Sequence, residues 1–382
     1  MELKEIRVRI DEIDEQLVGL FNERLDLAPR IVEAKREAGR PIFDPARERE
    51  KLAEIARHAR ADRADQLIAL FSLLMSMNKA EQQRWLAKDE GCSRSASAMK
   101  SSLPCGTSFP TTATVACQGV EGAYSQLAAE RAFKAPSISF MDSFEAVFRA
   151  VRDGFCEYGV LPIENSTAGS VNAVYDLLSS YRFSIVRSVR LKVDHNLVAA
   201  PGATLEGIKE VVSHEQALAQ CRTHLKALGV KPTAVANTAA AAAELVAGSD
   251  RSDLAAICSK ACGSIYGLDI LQSDMQDSDN NYTRFIVIAR DPAIYPGADR
   301  SSLLVRLPHR PGSLYRVLER FYALDINLVK LESRPIPGHD FDFMFYFDLI
   351  CPAGSEPFRA LLDSLDDVVE EFTYFGTYQE VL

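Results

Sequence analysis

The sequence predicts a multidomain chain: an all-α helical N-terminal domain, a two-lobed α/β middle domain and an α+β, ferredoxin-like C-terminal domain. Three observations predict it. Apolar residues recur at helical spacing through roughly the first 90 positions. From Thr114 the period changes, and short strand-like runs alternate with helical segments. From residue 300 the order becomes strand, helix, strand, strand, helix, strand. At 382 residues the chain also exceeds what one ordinary core serves.

The predicted elements run in order. Ile6, Ile10, Ile13, Leu17, Leu20, Phe21, Leu25 and Ile31 mark one long first helix, with Gly19 and Pro29 as single interruptions. In "AGRPIFDPARE", Asp44 can cap a second helix with Pro45 at its first position. "ADQLIALFSLLMSMNKAEQQRWL" reads as a third. These make domain 1–90. Residues 91–112, rich in Ser, Thr, Gly and Pro, read as a flexible linker.

In domain 113–292, "TVACQG", "SISFM", "YGVLPI", "SIVRSVRLKV", "NLVAA", "EVVSH", "LAAICS" and "RFIVIA" are strands. "SQLAAERAF", "SFEAVFRAV", "VNAVYDLLSS", "HEQALAQCRTHLKAL" and "TAAAAAELVA" are the helices between them. Domain 300–382 takes "SSLLVRL", "LVKLESR", "FDFMFYFDLI" and "EEFTYFGTY" as strands, with "GSLYRVLERFYAL" and "PFRALLDSL" as helices.

Composition narrows the function. Hydrophobic content of 47% and charged content of 25% suit a soluble globular protein. A net charge of −10 argues against nucleic acid as partner. No apolar run reaches the roughly 18 residues of a membrane span, and the charged start "MELKEIRVRIDEIDE" is unlike a secretory signal. The eight cysteines include one close pair, Cys258 and Cys262, with no nearby His; they read as free thiols of a cytoplasmic protein, without zinc.

The helical domain carries Arg7, Arg24, Lys35, Arg47, Asn78 and Gln82. On one straight helix Arg24 and Lys35 lie about 20° apart around the axis and about 16 Å along it, so two long side chains can close on one small molecule. Arg7 lies about 25 Å from Arg24 along the same axis and faces elsewhere. If it joins that site, it comes from a second chain. Arg47 sits in a first helical turn, where the helix dipole disfavours a cation, and Glu48 and Glu50 beside it offer pairing. Asn78 and Gln82 share a face. Singly these read as solvated helix faces; together they describe a clamp for a dianion.

The spacing of Arg7 and Asp14, "ER" at Glu23–Arg24, "AK" at Ala34–Lys35, "D-x2-RE" at Asp44, Arg47 and Glu48, and the late Gln82 resembles the helical chorismate mutases over residues 3–86. The resemblance implies a site built from Arg7 of a partner subunit with Arg24, Lys35, Asp44, Arg47, Glu48 and Gln82. Asn78 departs from the Ser often found there. The pericyclic rearrangement of chorismate needs no acid, base or covalent intermediate. It needs a dicarboxylate held compact by Arg7, Arg24 and Arg47, and donors from Lys35 and Gln82 at the ether oxygen.

In the middle domain, "YGVLPIENSTAGSVNAVYDLL" runs strand, loop, helix and places Glu164, Asn165, Ser166 and Thr167 at the strand end. Gly169 and Ser170 lead into a helix N-terminus able to hold an anion. "SHEQALAQC" sets His214, Gln216 and Gln220 at another helix start. "NNYTRFIVIAR" puts two amides, Thr283 and Arg284 at the mouth of a buried strand. With "GVEGAYSQLAA" and "YGL", these segments resemble prephenate dehydratases over residues 114–290, in that family's order. The resemblance implies two lobes, like a periplasmic binding protein, with the site in the cleft. It makes Thr283 necessary for activity and places Glu164, Asn165 and Gln220 in the site. Arg284 and the amides would hold carboxylates or orient the loop.

The C-terminal "RPGSLYRVL" with Gly312, Ser313 and Leu314, and "LESRP" with Glu332, Ser333 and Arg334, resemble the ACT regulatory module, which implies a phenylalanine effector between paired domains. The whole reads as a bifunctional chorismate mutase–prephenate dehydratase: chorismate and prephenate as substrates, no metal or organic cofactor, a homodimer or higher homo-oligomer. An arogenate dehydratase and a non-catalytic amino-acid sensor stand as alternatives.

Overall fold

The computed structural model describes residues 2–38, 44–90, 108–235, 245, 251–336, 342–365 and 368–382. The expected linker up to residue 107, the segment 39–43 and the expected helix "TAAAAAELVA", apart from Leu245, lie outside the described residues. The described residues divide into two compact units, one of the N-terminal helices together with residues 360–365 and 368, and one holding both sheets.

The helical unit runs α1 (Leu3–Asp26), α2 (Ala28–Glu37), α3 (Pro45–His58) and α4 (Ala64–Glu90). The single first helix of the sequence reading is interrupted at Leu27. Pro29 is the cause: its ring has no N–H and collides with the carbonyl four residues back. Arg24 and Lys35 therefore sit on successive helices, not on one continuous helix. Asp44 caps α3 as expected, accepting from the N–H groups of Ala46 and Arg47 at 3.1 Å each. Helix α1 buries none of its residues. Its apolar side chains Leu3, Ile6, Ile10, Ile13, Leu17 and Leu20, spaced three and four apart, are all exposed.

The second unit begins with β1 (Thr112–Gln118), α5 (Tyr124–Ala132), β2 (Ala135–Met141), α6 (Phe144–Arg152), β3 (Tyr158–Asn165), β4 (Gly169–Ser170), α7 (Asn172–Tyr181) and β5 (Ser184–Lys192). The second lobe follows with β6 (Asn196–Ala199), β7 (Glu210–Ser213), α8 (Glu215–Gln220), α9 (Arg222–Leu228), β8 (Lys231–Ala234), β9 (Leu254–Cys258), α10 (Lys260–Tyr266) and β10 (Asp269–Gln272). Strand β11 (Tyr282–Ala289) returns to the first lobe. The C-terminal part is β12 (Arg300–Arg306), α11 (Ser313–Ala323), β13 (Asn327–Pro335), β14 (Phe343–Ile350), α12 (Glu356–Leu365) and β15 (Glu371–Val381), the expected βαββαβ.

Five strands form the second lobe's sheet in the order β10-β6-β9-β7-β8, and the first lobe is continuous with the C-terminal sheet as β13-β14-β12-β15-β5-β11-β3-β1-β2, with β4 on β3. The join is a parallel pairing of Gln379–Val381 with Arg187–Val189. Strand β11, buried over most of its length, lies between β3 and β5.

The short strands β4, β8 and β10 and the helix α10 were not among the expected elements. "HEQALAQCRTHLKAL" is two helices. Asp277 breaks it: its N–H donates to the Gln220 carbonyl at 2.7 Å while its carboxylate accepts from the Thr223 N–H at 3.1 Å.

Candidate active sites

In the helical unit, half-buried Arg24 donates from Nη1 to the Leu74 carbonyl at 2.7 Å, and burial lowers its pKa from the usual arginine value. Asn78 donates from Nδ2 to the Arg24 carbonyl at 3.4 Å, and Gln82 donates from Nε2 to Asn78 Oδ1 at 2.9 Å. Among the described residues Gln82 Oε1 is buried without a partner. Helices α1 and α4 thus bring Arg24, Asn78 and Gln82 together. Lys35 lies in the last turn of α2. Arg47 pairs with Glu50 at 2.6 Å on an exposed surface, while Glu48 pairs with Lys79 at 2.8 Å. Arg7 is exposed on α1.

The second unit has a cleft of about 400 Å3 with walls from both lobes, including Asn165, His195, His214, Gln216, Gln220 and Thr283. Its polar wall is a closed ring of hydrogen bonds whose direction is fixed by the backbone. Asn165 Oδ1 accepts from the N–H groups of Thr167 at 3.0 Å and Ala168 at 2.8 Å. Backbone N–H groups only donate, so this atom is the oxygen and Nδ2 points the other way. Asn165 Nδ2 donates to Thr283 Oγ1 and to Asn281 Oδ1, both at 2.9 Å. Asn281 then donates to Gln220 Oε1 at 3.0 Å, Gln220 to Thr167 Oγ1 at 2.9 Å, and Thr167 back to Asn165 Oδ1 at 2.7 Å. Because Thr283 Oγ1 accepts from Asn165, its own hydrogen is left to be given elsewhere. Ser166 staples the loop, donating to the Asn280 carbonyl at 2.7 Å and accepting from the Tyr282 N–H at 2.9 Å. His214 caps α8 through Nδ1, which accepts from the Gln216 N–H at 3.2 Å.

Glu164 and Arg284 face the other way. Thr283 pairs across the sheet with Asn165, and Arg284 with Glu164. Strand alternation sends the first pair into the cleft and the second to the opposite face. There Arg284, one tenth exposed, meets Asp348 of β14 at 2.5 Å and Glu164 at 3.3 Å. Burial is the strongest single influence and works against its charge, but Asp348, Tyr378 and Tyr175 together outweigh it, so the cation is held well above the usual arginine range. Lys330 of β13 reaches Glu164 at 2.9 Å and Ser170 Oγ at 2.8 Å. Glu164 and Arg284, expected to line the substrate cleft, are not among the residues that line it here: their charged ends meet Lys330 and Asp348 of the C-terminal module.

In that module, α11 begins at Gly312, whose φ of +79° is left-handed. A pocket of about 640 Å3 there is lined by Pro308, Arg310, Gly312, Ser313, Leu314 and Phe345, among others. Ser313 Oγ is buried there with no partner among the described residues. On β13, alternation again divides the motif. Glu332 accepts from Ser170 of the first lobe, and Arg334 clasps Asp176 with two bonds of 2.7 and 3.0 Å. Ser333 is exposed on the other face. Of the three residues expected near an effector, Glu332 and Arg334 thus contact the first lobe.

Sequence family models match in this same order: chorismate mutase type II over residues 6–83, prephenate dehydratase over 115–293, and the ACT domain over 301–367. A bifunctional chorismate mutase/prephenate dehydratase of Aquifex aeolicus is 31% identical over 383 residues, covering 100% of this chain and 99% of that protein. The chain belongs to the bifunctional chorismate mutase/prephenate dehydratases. Another relative, the arogenate dehydratase/prephenate dehydratase 2 of Arabidopsis thaliana, is 39% identical over 276 residues, 69% of this chain and 72% of that one.

Among solved structures, one described as a novel type of quorum quenching acylase aligns with a TM-score of 0.65 at 31% identity, over 70% of this chain and 98% of that one. The prephenate dehydratase of Arthrobacter aurescens in complex with L-Phe aligns with a TM-score of 0.64 at 29% identity, over 70% of this chain and 89% of that one.

In this bifunctional chain, sequence reasoning missed His195 as part of the dehydratase wall. Asn281 was one of the two amides beside Thr283 expected to hold carboxylates or orient the loop, and it joins the hydrogen-bond ring. His195 sits in "VDHNLVAA" without a recognisable motif; a lone polar residue just before an apolar run was the only signal. No helix among the described residues is long and apolar enough to cross a membrane.

Proposed function

We propose that the helical unit rearranges chorismate to prephenate and that the cleft converts prephenate to phenylpyruvate. The observation that carries the second assignment is the polarity of the hydrogen-bond ring, which leaves the Thr283 hydrogen free to serve the cleft. Prephenate loses carbon dioxide and its ring hydroxyl together as the ring becomes aromatic. Hydroxide is a poor leaving group. A donor beside it lowers the barrier, and Thr283 takes that role. Gln216 and the amide ring of Asn165, Gln220 and Asn281 orient the substrate. In the helical unit, Arg24, Arg47 and a partner subunit's arginine at position 7 hold the two carboxylates, and Lys35 and Gln82 donate to the ether oxygen. The clustering of Arg24, Asn78 and Gln82 supports this site, and the exposed apolar stripe of α1 supports a homodimer.

Phenylalanine would fill the pocket at Gly312, Ser313 and Leu314, its charged ends held by backbone groups and the unpartnered Ser313 hydroxyl. Inhibition follows if it prefers a less active state of the chain. The free, buried cysteines support a cytoplasmic location. Prephenate is preferred to arogenate here because a mutase unit that makes prephenate precedes the dehydratase in one chain. The test is an assay of the purified full chain on chorismate, following prephenate and phenylpyruvate, with arogenate run in parallel. Turnover of chorismate without phenylpyruvate would remove the dehydratase assignment. No turnover of any of the three would leave a ligand sensor.

A further inference from the structure

His195 is 2% exposed and lies between β5 and β6 at the cleft wall. Its backbone is clamped from both sides: its N–H donates to Gln276 Oε1, and its carbonyl accepts from the Met275 N–H, both at 2.9 Å. The ring stands edge-on to Tyr124, with centroids 6.2 Å apart. Nε2 lies 2.9 Å from Gln220 Oε1. Since the Gln220 amide nitrogen is spent on Thr167, Oε1 can only accept, and His195 must carry its hydrogen on Nε2. Nδ1 is then a bare acceptor, buried without a partner among the described residues. A chain of fixed polarity runs from His195 through Gln220, Asn281 and Asn165 to Thr283.

We propose that His195 is a positioning residue of the dehydratase reaction: as the neutral, Nε2-protonated tautomer it anchors Gln220, and through Asn281 and Asn165 it sets where Thr283 presents its hydroxyl. The inference rests on reading the cleft as the dehydratase site. The other tautomer would set a bare nitrogen against the Gln220 oxygen. Gln220 would turn, and the ring with Thr167, Asn165 and Asn281 would open. Protonation of Nδ1 would bury an N–H with no acceptor.

The groups around the ring favour the neutral form. Burial pushes the pKa of His195 below the ordinary histidine value, more strongly than the Gln220 bond and Asp194 raise it. Asp194 is itself paired with Lys192 at 2.7 Å. From α5, Tyr124 faces the ring and gives its hydroxyl to the Asp194 carbonyl at 2.6 Å; the partner on α8, Gln220, is neutral, and His214, the cap of that helix, lines the same cleft. The histidine therefore stays neutral at pH 7. As pH falls through its lowered pKa, the N–H without an acceptor appears and dehydratase turnover drops.

The experiment measures dehydratase kcat and KM from pH 4.5 to 8 on the full chain, with chorismate mutase activity as a check on the other unit. His195→Leu removes the donor and should lower kcat about 10- to 100-fold, with KM changed less, the scale of a displaced reacting group. His195→Gln supplies an N–H that does not titrate. It should recover kcat to within a few-fold of the parent and flatten the acid limb. Thr283→Ala is run beside them. Equal activity of parent and His195→Leu overturns the proposal. So does a His195→Gln variant as impaired as His195→Leu, which would make the ring a packing element or a proton carrier. A fully active Thr283→Ala overturns the cleft assignment, and the proposal falls with it. Loss in Thr283→Ala with both His195 variants unaffected overturns the proposal alone.

Discussion

The two candidate sites are built on opposite plans. In the sheet unit, the dehydratase wall is a closed circuit of amides and hydroxyls, buried at Asn165 and Asn281 and open to the cleft at Thr167, each with a partner in the same chain. In the helical unit, Arg24, Asn78 and Gln82 meet, but Arg7 stands on a helix that buries nothing and exposes a regular apolar stripe. The amide ring closes within one chain, whereas the helix that carries Arg7 leaves its apolar stripe uncovered in one chain. The apolar stripe of α1 has the three-and-four spacing of a helix meant to be covered. If Arg7 reaches its site from a second chain, the two activities differ in their dependence on assembly.

The largest test of that contrast strikes the continuity of the sheet unit. Asp348→Ala strips Arg284 of its nearest counter-ion in a buried setting. Breaking a buried pair from one side costs several kcal/mol, and about 3 kcal/mol is expected because Glu164 remains. Urea unfolding of the full chain measures it. A loss under about 1 kcal/mol would mean that water reaches this junction as easily as it reaches the ion pairs of α3.

Separation of the chemistries comes next. Thr283→Ala should lower dehydratase kcat about 100-fold or more and leave the mutase within about twofold. Lys35→Ala should do the reverse. Parallel losses in both activities would show that the units do not work independently.

Subunit mixing sharpens the contrast directly. Arg7→Ala and Arg24→Ala chains, each mutase-poor, should regain up to about a quarter of parent activity when exchanged, because hybrid dimers hold one intact site. Recovery that stays at the level of the unmixed variants would place Arg7 outside the site. Dehydratase activity should not change on mixing.

The smallest effect is expected at Gly312→Val. A Cβ there meets no atom within 4 Å, so the pocket is not blocked by contact. The strain arises from a β-branched residue at φ +79°. Phenylalanine affinity by calorimetry should fall about tenfold, with uninhibited activity unchanged. Equal affinity would locate the effector away from this turn.

Much of this was legible in the sequence because it is local. Alternating runs gave the main strands of the first lobe, and Asp44–Pro45 gave the start of α3. The "NYTRF" stretch singled out Thr283. What escaped depends on distant partners. Asp277 splits a helix more than fifty positions earlier in the chain by competing for its backbone groups. Asp348 claims Arg284 across 64 positions, and no periodicity within either segment announces the pairing. His195 became visible only when the ring's polarity could be traced. The Pro29 interruption was seen in the sequence, but its consequence for the Arg24–Lys35 geometry was not.

Strand β11 places Thr283 and Arg284 next to each other in the chain and on opposite faces of the sheet. Side-chain period in a strand is two, so a one-residue slip exchanges the faces. Substitutions on either side can accumulate separately, whereas a single inserted or deleted residue just before Thr283 would turn the guanidinium toward the cleft and the hydroxyl toward Asp348. The Thr283 hydroxyl and the Arg284–Asp348 pair thus depend on one strand parity, which a substitution leaves intact and an inserted or deleted residue does not.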